Sequence, residues 1–248
     1  MDEGGEVTCD RILGGALTLR QPAKGYRAGL DAALLAAACD AEPGERVLEA
    51  GCGVGAVLLA AAWRRRDARF FGIERDAAAL ELARENIRAN GLGDRVEVAA
   101  GDVGASEAVA AFRFDAALAN PPYFDDPAAL RAPHPAKTGA WMADGGLDAW
   151  IAYLLAAVRD GGTLTLIHRA DRLADILAAL AAKAGSFQVR PVHPFADEPA
   201  KRVLVRAVRG GKAPLQLLPP LILHARGGAK HSAEAEAILR GTEGLPWR

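Results

Sequence analysis

The stretch Arg46-Val47-Leu48-Glu49-Ala50-Gly51-Cys52-Gly53-Val54-Gly55 decides the fold of this 248-residue chain. A short apolar run that leads straight into alternate glycines predicts a first parallel strand followed by a tight turn into a helix. Glycines at such a turn let the backbone approach a ligand closely, and they expose the N–H groups at the helix N-terminus. The stretch therefore predicts a ligand-binding loop at the end of this strand.

Downstream of this stretch, short apolar runs alternate with longer Ala- and Leu-rich segments of helical spacing. Strands are predicted at residues 46–50, 69–73, 95–99, 115–119 and 162–168, and helices at residues 56–66, 77–90, 105–112, 147–159 and 171–184. Two further runs, residues 186–191 and 201–208, alternate in strand fashion and predict an antiparallel pair at the edge. The alternation predicts an α/β protein with a mostly parallel sheet and helices on both faces.

The two ends of the chain lie outside this alternation, so the chain divides into three predicted parts. Residues 1–40 are predicted to form a hairpin and a short helix, for which Asp31 is placed as the N-terminal cap. Residues 41–209 form the predicted α/β core. Residues 210–248 are predicted to add a strand-like piece at residues 215–224 and a helix capped by Ser232.

Composition and charge predict a soluble, cytoplasmic protein that holds no metal. The chain is 51 % hydrophobic and 25 % charged, close to an average globular domain, and its net charge is −1. That balance argues against binding to nucleic acid through bulk charge, so any basic surface must be local. The three cysteines have no CxxC spacing, which argues against a zinc site or a disulfide framework. The acidic start and the interrupted apolar run at residues 215–223 predict neither a signal peptide nor a membrane span.

The glycine spacing separates the cofactors that this loop could take. A dinucleotide site needs Gly-x-Gly-x-x-Gly and a phosphate loop needs Lys followed by Ser or Thr, whereas this loop is Gly-x-Gly-x-Gly followed by Ala56. Glu74 ends the second predicted strand, where its carboxylate can accept both hydroxyls of a ribose. Asp102 follows the third strand, where the amino group of an adenine would lie. The carboxyl ends of neighbouring strands line one crevice, so the glycine loop and both carboxylates should face the same ligand. We expect this ligand to be S-adenosylmethionine.

Residues 120–123 read Asn-Pro-Pro-Tyr and directly follow the fourth predicted strand of the core. The Asn120 side-chain carbonyl and the Pro121 main-chain carbonyl can each accept a hydrogen bond from a planar –NH2 group, whose lone pair then turns toward the methyl donor. The second proline would stiffen this loop, and Tyr123 could stack on the acceptor plane. The tetrapeptide therefore predicts methylation of an amide or of an exocyclic amine on a nucleobase.

Four motifs occur together in this chain: Leu48-Glu49-Ala50-Gly51-Cys52-Gly53-Val54-Gly55, Glu74, Gly101-Asp102 and residues 120–123. Their combination resembles the class I S-adenosylmethionine-dependent methyltransferases of the amino-methylating branch. The segment Tyr26-Arg27-Ala28-Gly29-Leu30-Asp31-Ala32-Ala33-Leu34-Leu35 is similar to the one that covers the cofactor in the bacterial tRNA(Val) adenine-N6-methyltransferase family. The resemblance implies a Rossmann-like class I methyltransferase fold, with a central seven-stranded sheet and a short N-terminal lid.

The resemblance also implies a role for each residue of these motifs. The implied catalytic residues are Asn120, Pro121, Pro122 and Tyr123. The implied cofactor-binding residues are Tyr26, Arg27, Asp31, Glu49, Gly51, Cys52, Gly53, Gly55, Glu74, Arg75, Gly101, Asp102, Val103 and Asn120. The implied substrate-binding residues are Lys24, Tyr123, Phe124 and Lys137. Cys52 is expected to be a small residue that fits the loop rather than a nucleophile.

Several acceptors for the methyl group stay open. The preferred one is adenine N6 in tRNA, whose phosphates would be met by Arg20, Lys24, Arg27 and Lys137, so that binding would weaken steeply with salt. Protein-glutamine N5 methylation suits the same tetrapeptide, although no release-factor recognition domain is recognisable at the N-terminus. A non-catalytic cofactor-binding scaffold is the third alternative, against which the intact residues 120–123 argue. His168, which closes the fifth predicted strand, is expected either at the edge of the site or as a structural histidine.

Overall fold

The computed structural model describes residues 6–24, 27–103, 113–122, 146–227 and 230–247. Its strands are β1 (Val7–Ile12), β2 (Leu17–Pro22), β3 (Arg46–Ala50), β4 (Arg69–Glu74), β5 (Val96–Ala100), β6 (Phe114–Ala119), β7 (Val158–Arg169), β8 (Ala184–His193), β9 (Arg202–Arg209), β10 (Gln216–Leu217) and β11 (Leu221–Ile222). Its helices are α1 (Leu30–Ala37), α2 (Ala56–Arg64), α3 (Ala77–Ala89), α4 (Gly146–Ala157), α5 (Leu173–Leu180) and α6 (Ala233–Arg240). The predicted helix at residues 105–112 lies outside the described residues.

Within the described residues, nine strands form one sheet in the order β10-β8-β9-β7-β6-β3-β4-β5, and β11 also pairs with β8. The predicted fold class is confirmed, because seven of these strands, β3 to β9, form where the apolar runs predict them. β9 runs antiparallel to β7 and to β8, and the second of these is the predicted antiparallel pair. The strand-like piece at residues 215–224 is split into β10 and β11, since Pro219 and Pro220 between them have no N–H to donate.

The strand order reverses beside β3. From β3 the chain moves outward to β4 and β5, and it then returns to β6 on the other side of β3. Ala50 and Ala119 are partners in the parallel register of β3 and β6, so the loops that follow these strands leave the sheet side by side. Open α/β sheets bind their ligands at such a switch point.

Alternate residues of the central strands contribute to two cores, one on each face of the sheet. Val47 belongs to the core that also contains residues of α1, α2, α3 and α6. Its neighbour Leu48 belongs to the other core, with residues of α4 and α5, because successive side chains of a strand point to opposite faces. Both faces are therefore covered, which explains why the central strands are continuous apolar runs in the sequence.

The cap of α1 differs from the prediction. Its N-cap residue is Gly29, which makes no side-chain hydrogen bond, and Asp31 stands inside the first turn instead. The Asp31 carboxylate accepts a hydrogen bond from Arg202 Nε at 3.0 Å, since β9 begins close to this end of α1. Ser232 does cap α6 as predicted, and its hydroxyl accepts from the Ala235 N–H at 3.1 Å.

The two ends of the described chain pack on the same core. The hairpin of β1 and β2 buries Leu13, Leu17 and Leu19 there. At the other end, Trp247 Nε1 donates to the Ala38 carbonyl at 2.8 Å. These contacts place the hairpin and the C-terminal segment on the face of the sheet that carries α1 and α2.

Two kinds of feature are absent from the described ranges. No helix there combines the length and the apolar character needed to cross a bilayer. No group of three or more His, Cys, Asp or Glu side chains lies together there as a metal site would need.

Candidate active site

Three glycines in the loop between β3 and α2 adopt left-handed backbone conformations. The φ angle is 65° at Gly51, 54° at Gly53 and 85° at Gly55, values that residues with a Cβ rarely take. Two hydrogen bonds close the loop: the Cys52 N–H donates to the Ile73 carbonyl, and the Gly55 N–H donates to the Cys52 carbonyl, both at 2.9 Å. The loop is therefore a tight turn that carries the chain from the sheet into α2.

Two of these glycines have different spatial surroundings. A Cβ at Gly51 would lie 2.4 Å from Trp150 Cη2, so the indole of this α4 residue fills the space beside Gly51. A Cβ at Gly53 would meet no atom of the described residues within 4 Å. Among the described residues nothing fills the space beside Gly53, and it is here that a ligand can approach the backbone of the loop.

Two carboxylates, one near the end of β3 and one at the end of β4, accept hydrogen bonds from nearby main-chain N–H groups. Glu74 Oε2 accepts from the Gly53 N–H and Glu74 Oε1 from the Asp76 N–H, each at 2.8 Å. Glu49 is buried, and its Oε2 accepts from the Leu58 N–H in the first turn of α2 at 3.1 Å. Burial raises the pKa of the Glu49 carboxyl well above its usual range, and the Leu58 N–H offsets only part of this effect. Together these side chains fix the loop against the ends of β3 and β4.

The residues that follow β5 lie beside the end of β4. The Gly101 N–H donates to the Glu74 carbonyl at 3.1 Å, which brings the next residue, Asp102, to the same edge of the sheet. Asp102 forms a 3.7 Å ion pair with Arg75, and the two side chains are 42 % and 36 % exposed. Val103 is buried. The structure therefore brings the two acids predicted to bind the cofactor, Glu74 and Asp102, to neighbouring strand ends.

Cys52 packs inside the loop. Its side chain is buried, and a Cβ at Gly72 would lie only 2.8 Å from its sulfur, so the close approach of β4 requires a glycine there. Burial, with the charges of Glu49 and Glu74, raises the pKa of the Cys52 thiol well above its usual range. A thiol that keeps its proton at neutral pH is a poor nucleophile, so Cys52 is a packing residue of the loop.

The second loop of the site follows β6. Asn120 is half-buried and Pro121 is buried, and the partnership of Ala119 with Ala50 places both beside the glycine loop. Each proline lacks an N–H group and has its φ angle fixed by the ring, while its carbonyl stays an acceptor. The structure therefore describes residues 120–122 of the tetrapeptide, which lie at the end of β6 beside the glycine loop. The predicted residues Tyr123, Phe124 and Lys137 lie outside the described residues.

His168 stands at the end of β7, beside this second loop. Burial, with the charges of Arg169 and Arg202, lowers the pKa of His168 to about 4, whereas Asp171 and the Pro122 carbonyl favour the protonated ring. The imidazole is therefore neutral at neutral pH. The buried ring at the end of β7 fits the expectation of a structural histidine, and the Pro122 carbonyl that contacts it belongs to the second loop.

The site residues predicted near the N-terminus differ in how they contact the rest of the structure. Arg27 donates hydrogen bonds to three oxygen atoms of the hairpin segment, at distances of 2.6–2.8 Å. These oxygen atoms belong to Thr8, Asp10 and Pro22. Lys24 is exposed, and Tyr26 lies outside the described residues. Arg27 therefore joins the hairpin to the segment that leads into α1.

One side chain that touches the glycine loop is missed by the sequence analysis. Asn86 in α3 is fully buried, and its Nδ2 donates to the Val54 carbonyl at 3.0 Å. The available signal was an asparagine inside a predicted helix, one turn from a second asparagine at position 90. Asparagine is unfavourable in helix interiors, so this pair points to contacts made by the side-chain amides.

The sequence comparisons place the chain among methyltransferases. The methyltransferase small domain family matches residues 27–132. The chain is 32 % identical over 187 residues to the tRNA1(Val) (adenine(37)-N6)-methyltransferase of Porphyromonas gingivalis, a match that covers 72 % of each chain. It is 27 % identical over 227 residues to the enzyme of the same name from Dyadobacter fermentans, and this match covers 90 % of this chain and 92 % of the other.

Solved structures share the fold. A predicted O-methyltransferase, protein Atu636 from Agrobacterium tumefaciens, matches with a TM-score of 0.72 at 27 % identity, over 87 % of this chain and 98 % of that chain. The 16S rRNA N2 G1207 methyltransferase of T. thermophilus, solved with AdoMet and guanosine, matches with a TM-score of 0.56 at 23 % identity, over 82 % of this chain and 50 % of that chain. At that lower identity the second match supports the fold alone.

Proposed function

Because the chain belongs to the tRNA1(Val) (adenine(37)-N6)-methyltransferase family, we propose that it methylates the N6 amine of an adenine in tRNA with S-adenosylmethionine as the donor. The observation that carries this proposal is the meeting of two loops. Ala50 and Ala119 are register partners in parallel strands, so the glycine loop and the Asn120 loop leave the sheet together. A methyl donor bound at the first loop lies within reach of an amine bound at the second.

The residues around the glycine loop fit S-adenosylmethionine. The open space beside Gly53 admits a ligand to the backbone, and Glu74 keeps lone pairs for ribose hydroxyls after it has accepted two N–H groups. We propose that Asp102 binds the adenine amine of the cofactor, and that Tyr26 and Arg27 belong to the segment that covers it. When bound, S-adenosylmethionine supplies an electrophilic methyl group.

The loop after β6 is proposed to hold the acceptor amine. The Asn120 side-chain carbonyl and the Pro121 carbonyl would accept its two N–H groups, which turns the nitrogen lone pair toward the methyl group and offsets the positive charge that develops on nitrogen. Tyr123 would stack on the base. No strong base is required, because the proton can leave after transfer. The low pKa of His168, about 4, agrees with such a scheme, since it makes this ring a weak base.

A tRNA substrate requires that the adenine leave the base stack. An N6 amine within a folded RNA loop reaches Asn120 only if the nucleotide is splayed out and stacked on protein groups. The net charge of −1 leaves phosphate binding to local cations, for which we propose Lys24 and Lys137. Binding should therefore weaken as salt rises, and a tRNA substrate implies that the enzyme works in the cytoplasm.

The test is methyl transfer to RNA and protein fractions from a strain that lacks this gene. Purified protein and labelled S-adenosylmethionine are incubated with total tRNA, with mRNA and with protein, and the labelled tRNA is digested to nucleosides. We expect label in N6-methyladenosine from tRNA, and far less of it with Asn120→Ala at the same reaction time. Label confined to glutamine in protein would replace this proposal by N5 methylation, and label on a ribose oxygen would assign the enzyme to O-methyl transfer.

A further inference from the structure

Two asparagine side chains of α3 close the outer edge of β2. Asn90 Oδ1 accepts from the Thr18 N–H at 2.9 Å, and Asn90 Nδ2 donates to the Thr18 carbonyl at 2.7 Å. Asn86 makes the same pair of hydrogen bonds to Arg20, at 2.8 and 2.9 Å. Each amide thus binds both main-chain groups of one residue, as a residue on a neighbouring strand would. The hairpin is thereby docked on α3 at an edge that would otherwise present unpaired groups.

The remaining N–H of each amide distinguishes the two asparagines. Asn90 Nδ2 also donates to the Asn86 carbonyl at 2.7 Å, which stays within α3. Asn86 Nδ2 donates to the Val54 carbonyl at 3.0 Å, which lies in the glycine loop. Asn86 is fully buried, and its one acceptor and two donor groups are all bonded. It therefore links the hairpin, α3 and the glycine loop through one rigid amide.

The bond to Val54 fixes a peptide plane in the loop. The Val54 carbonyl and the Gly55 N–H belong to the same planar peptide group. Asn86 holds the carbonyl, and the Cys52 carbonyl accepts the N–H at 2.9 Å, so the plane is held at both ends. This peptide group joins Val54 to Gly55, whose φ angle is left-handed at 85°, and Gly53 with a φ angle of 54° precedes Val54. Such glycines would otherwise let this part of the loop rotate.

We infer that Asn86 is a positioning residue that couples docking of the N-terminal hairpin to the shape of the cofactor loop. Docking of the hairpin orients the Asn86 amide through Arg20, and the same amide orients the Val54 peptide. Coupling is reciprocal, so a bound cofactor also stabilises the docked hairpin. The inference rests on the proposed cofactor role of the glycine loop. Asn90 shares the docking contact but not the contact with the loop, so it provides a matched control.

The test compares Asn86→Ala with Asn90→Ala, using S-adenosylhomocysteine as the probe. Both substitutions should speed hydrogen exchange in residues 6–24, because each removes a docking amide. Only Asn86→Ala should weaken S-adenosylhomocysteine binding in calorimetry, by about tenfold, within the range typical of coupled sites. In methyl transfer, Asn86→Ala should raise KM for S-adenosylmethionine and leave kcat nearly unchanged. Equal affinities in the two variants would overturn the inference.

A second pair tests the same link from the hairpin side if Asn86→Ala does not fold. Arg20→Pro removes the N–H that Asn86 Oδ1 accepts, whereas Arg20→Ala removes the side chain and keeps that N–H. Arg20→Pro should weaken S-adenosylhomocysteine binding several-fold relative to Arg20→Ala, and equal binding would overturn the inference. Failure of the wild-type protein to bind S-adenosylhomocysteine would instead overturn the proposed function, so the two failures are distinguishable.

Discussion

The two loops that meet at the switch point are shaped by opposite means. The three glycines of the loop after β3 have φ angles between 54° and 85°, and side chains from β4 and α3 hold this loop through hydrogen bonds. The loop after β6 contains two consecutive prolines, whose rings fix φ and whose nitrogens carry no N–H, so the peptide groups of the Asn120 and Pro121 carbonyls have no donor. The first loop is a permissive backbone held by its surroundings, and the second is a backbone restricted by its own covalent structure.

This difference separates binding from turnover. The hydrogen bonds that hold the glycine loop are present before and during the reaction, so their loss should weaken cofactor binding. The acceptor oxygens of the second loop gain strength only as positive charge develops on the amine, so their loss should lower the rate of transfer. Substitutions in the two loops should therefore divide into those that change Kd for the cofactor and those that change kcat.

Asn120→Ala should give the largest effect. We expect kcat to fall roughly 10²- to 10³-fold, about 2.7–4 kcal/mol, as for the loss of one preorganised group that stabilises a transition state. Calorimetry with S-adenosylhomocysteine should show little change in Kd. Asn120→Asp keeps an acceptor oxygen and should retain more activity than Asn120→Ala. A large loss of cofactor affinity in Asn120→Ala would break the division between the loops.

Lowering the pH should destabilise the folded protein through protonation of His168, which lies beside the second loop. The pKa of His168 falls from its usual value near 6.5 to about 4, so the native state binds this proton more weakly than the unfolded chain does. The stabilisation is complete above the unfolded pKa and is lost as pH falls toward the folded pKa, by about 3 kcal/mol. Urea unfolding across this range measures the loss. His168→Gln cannot titrate and should flatten the slope, and a slope as steep as that of the wild type would contradict the assignment.

Gly51→Ala and Gly53→Ala should separate packing from ligand access within the glycine loop. Gly51→Ala adds a Cβ 2.4 Å from the Trp150 ring, so we expect a loss of stability of about 1–3 kcal/mol. Gly53→Ala meets open space and should cost about 1 kcal/mol for its left-handed φ alone. Thermal unfolding and titration with S-adenosylhomocysteine measure the two effects. Relative to its loss of stability, Gly53→Ala should lose more affinity for S-adenosylhomocysteine than Gly51→Ala does. The reverse order would show that the ligand approaches the loop elsewhere.

Asp102→Ala should give the smallest effect on the fold. Its 3.7 Å ion pair with Arg75 joins two partly exposed side chains, so unfolding free energy should change by less than about 1 kcal/mol. Cofactor affinity should fall about tenfold, because a hydrogen bond to the adenine amine is lost. Asp102→Asn keeps one acceptor oxygen and should bind more tightly than Asp102→Ala. A fall in kcat with an unchanged Kd for the cofactor would indicate that Asp102 acts on the acceptor amine and not on the cofactor.

Much of the fold could be predicted because its signals are local. The apolar runs of β3 and β6 reflect burial on both faces, and alternation in β8 and β9 gave the antiparallel pair. Ser232 precedes a helix and could be recognised as a cap from its neighbours alone. Such signals require only the spacing of residues along the chain.

Contacts between distant segments could not be predicted in this way. Asp31 looks like a cap in its local sequence, but its partner is Arg202, which is 171 residues away. Asn86 reaches Arg20 and Val54, which are 66 and 32 residues away, and only the folded sheet brings these segments together. The same holds for the ring of Trp150 against Gly51. A side chain whose role depends on a remote partner carries no periodic signal in the sequence.

The register between β3 and β6 bears on how this scaffold can acquire new acceptors. Neighbouring strands of a sheet lie about 4.8 Å apart, so the spacing between the starts of the two loops is set by backbone hydrogen bonding. Insertions and exchanges in peripheral segments leave that spacing unchanged. Related enzymes can therefore evolve to bind different substrates while the distance between the methyl donor and the atom that receives the methyl group stays the same.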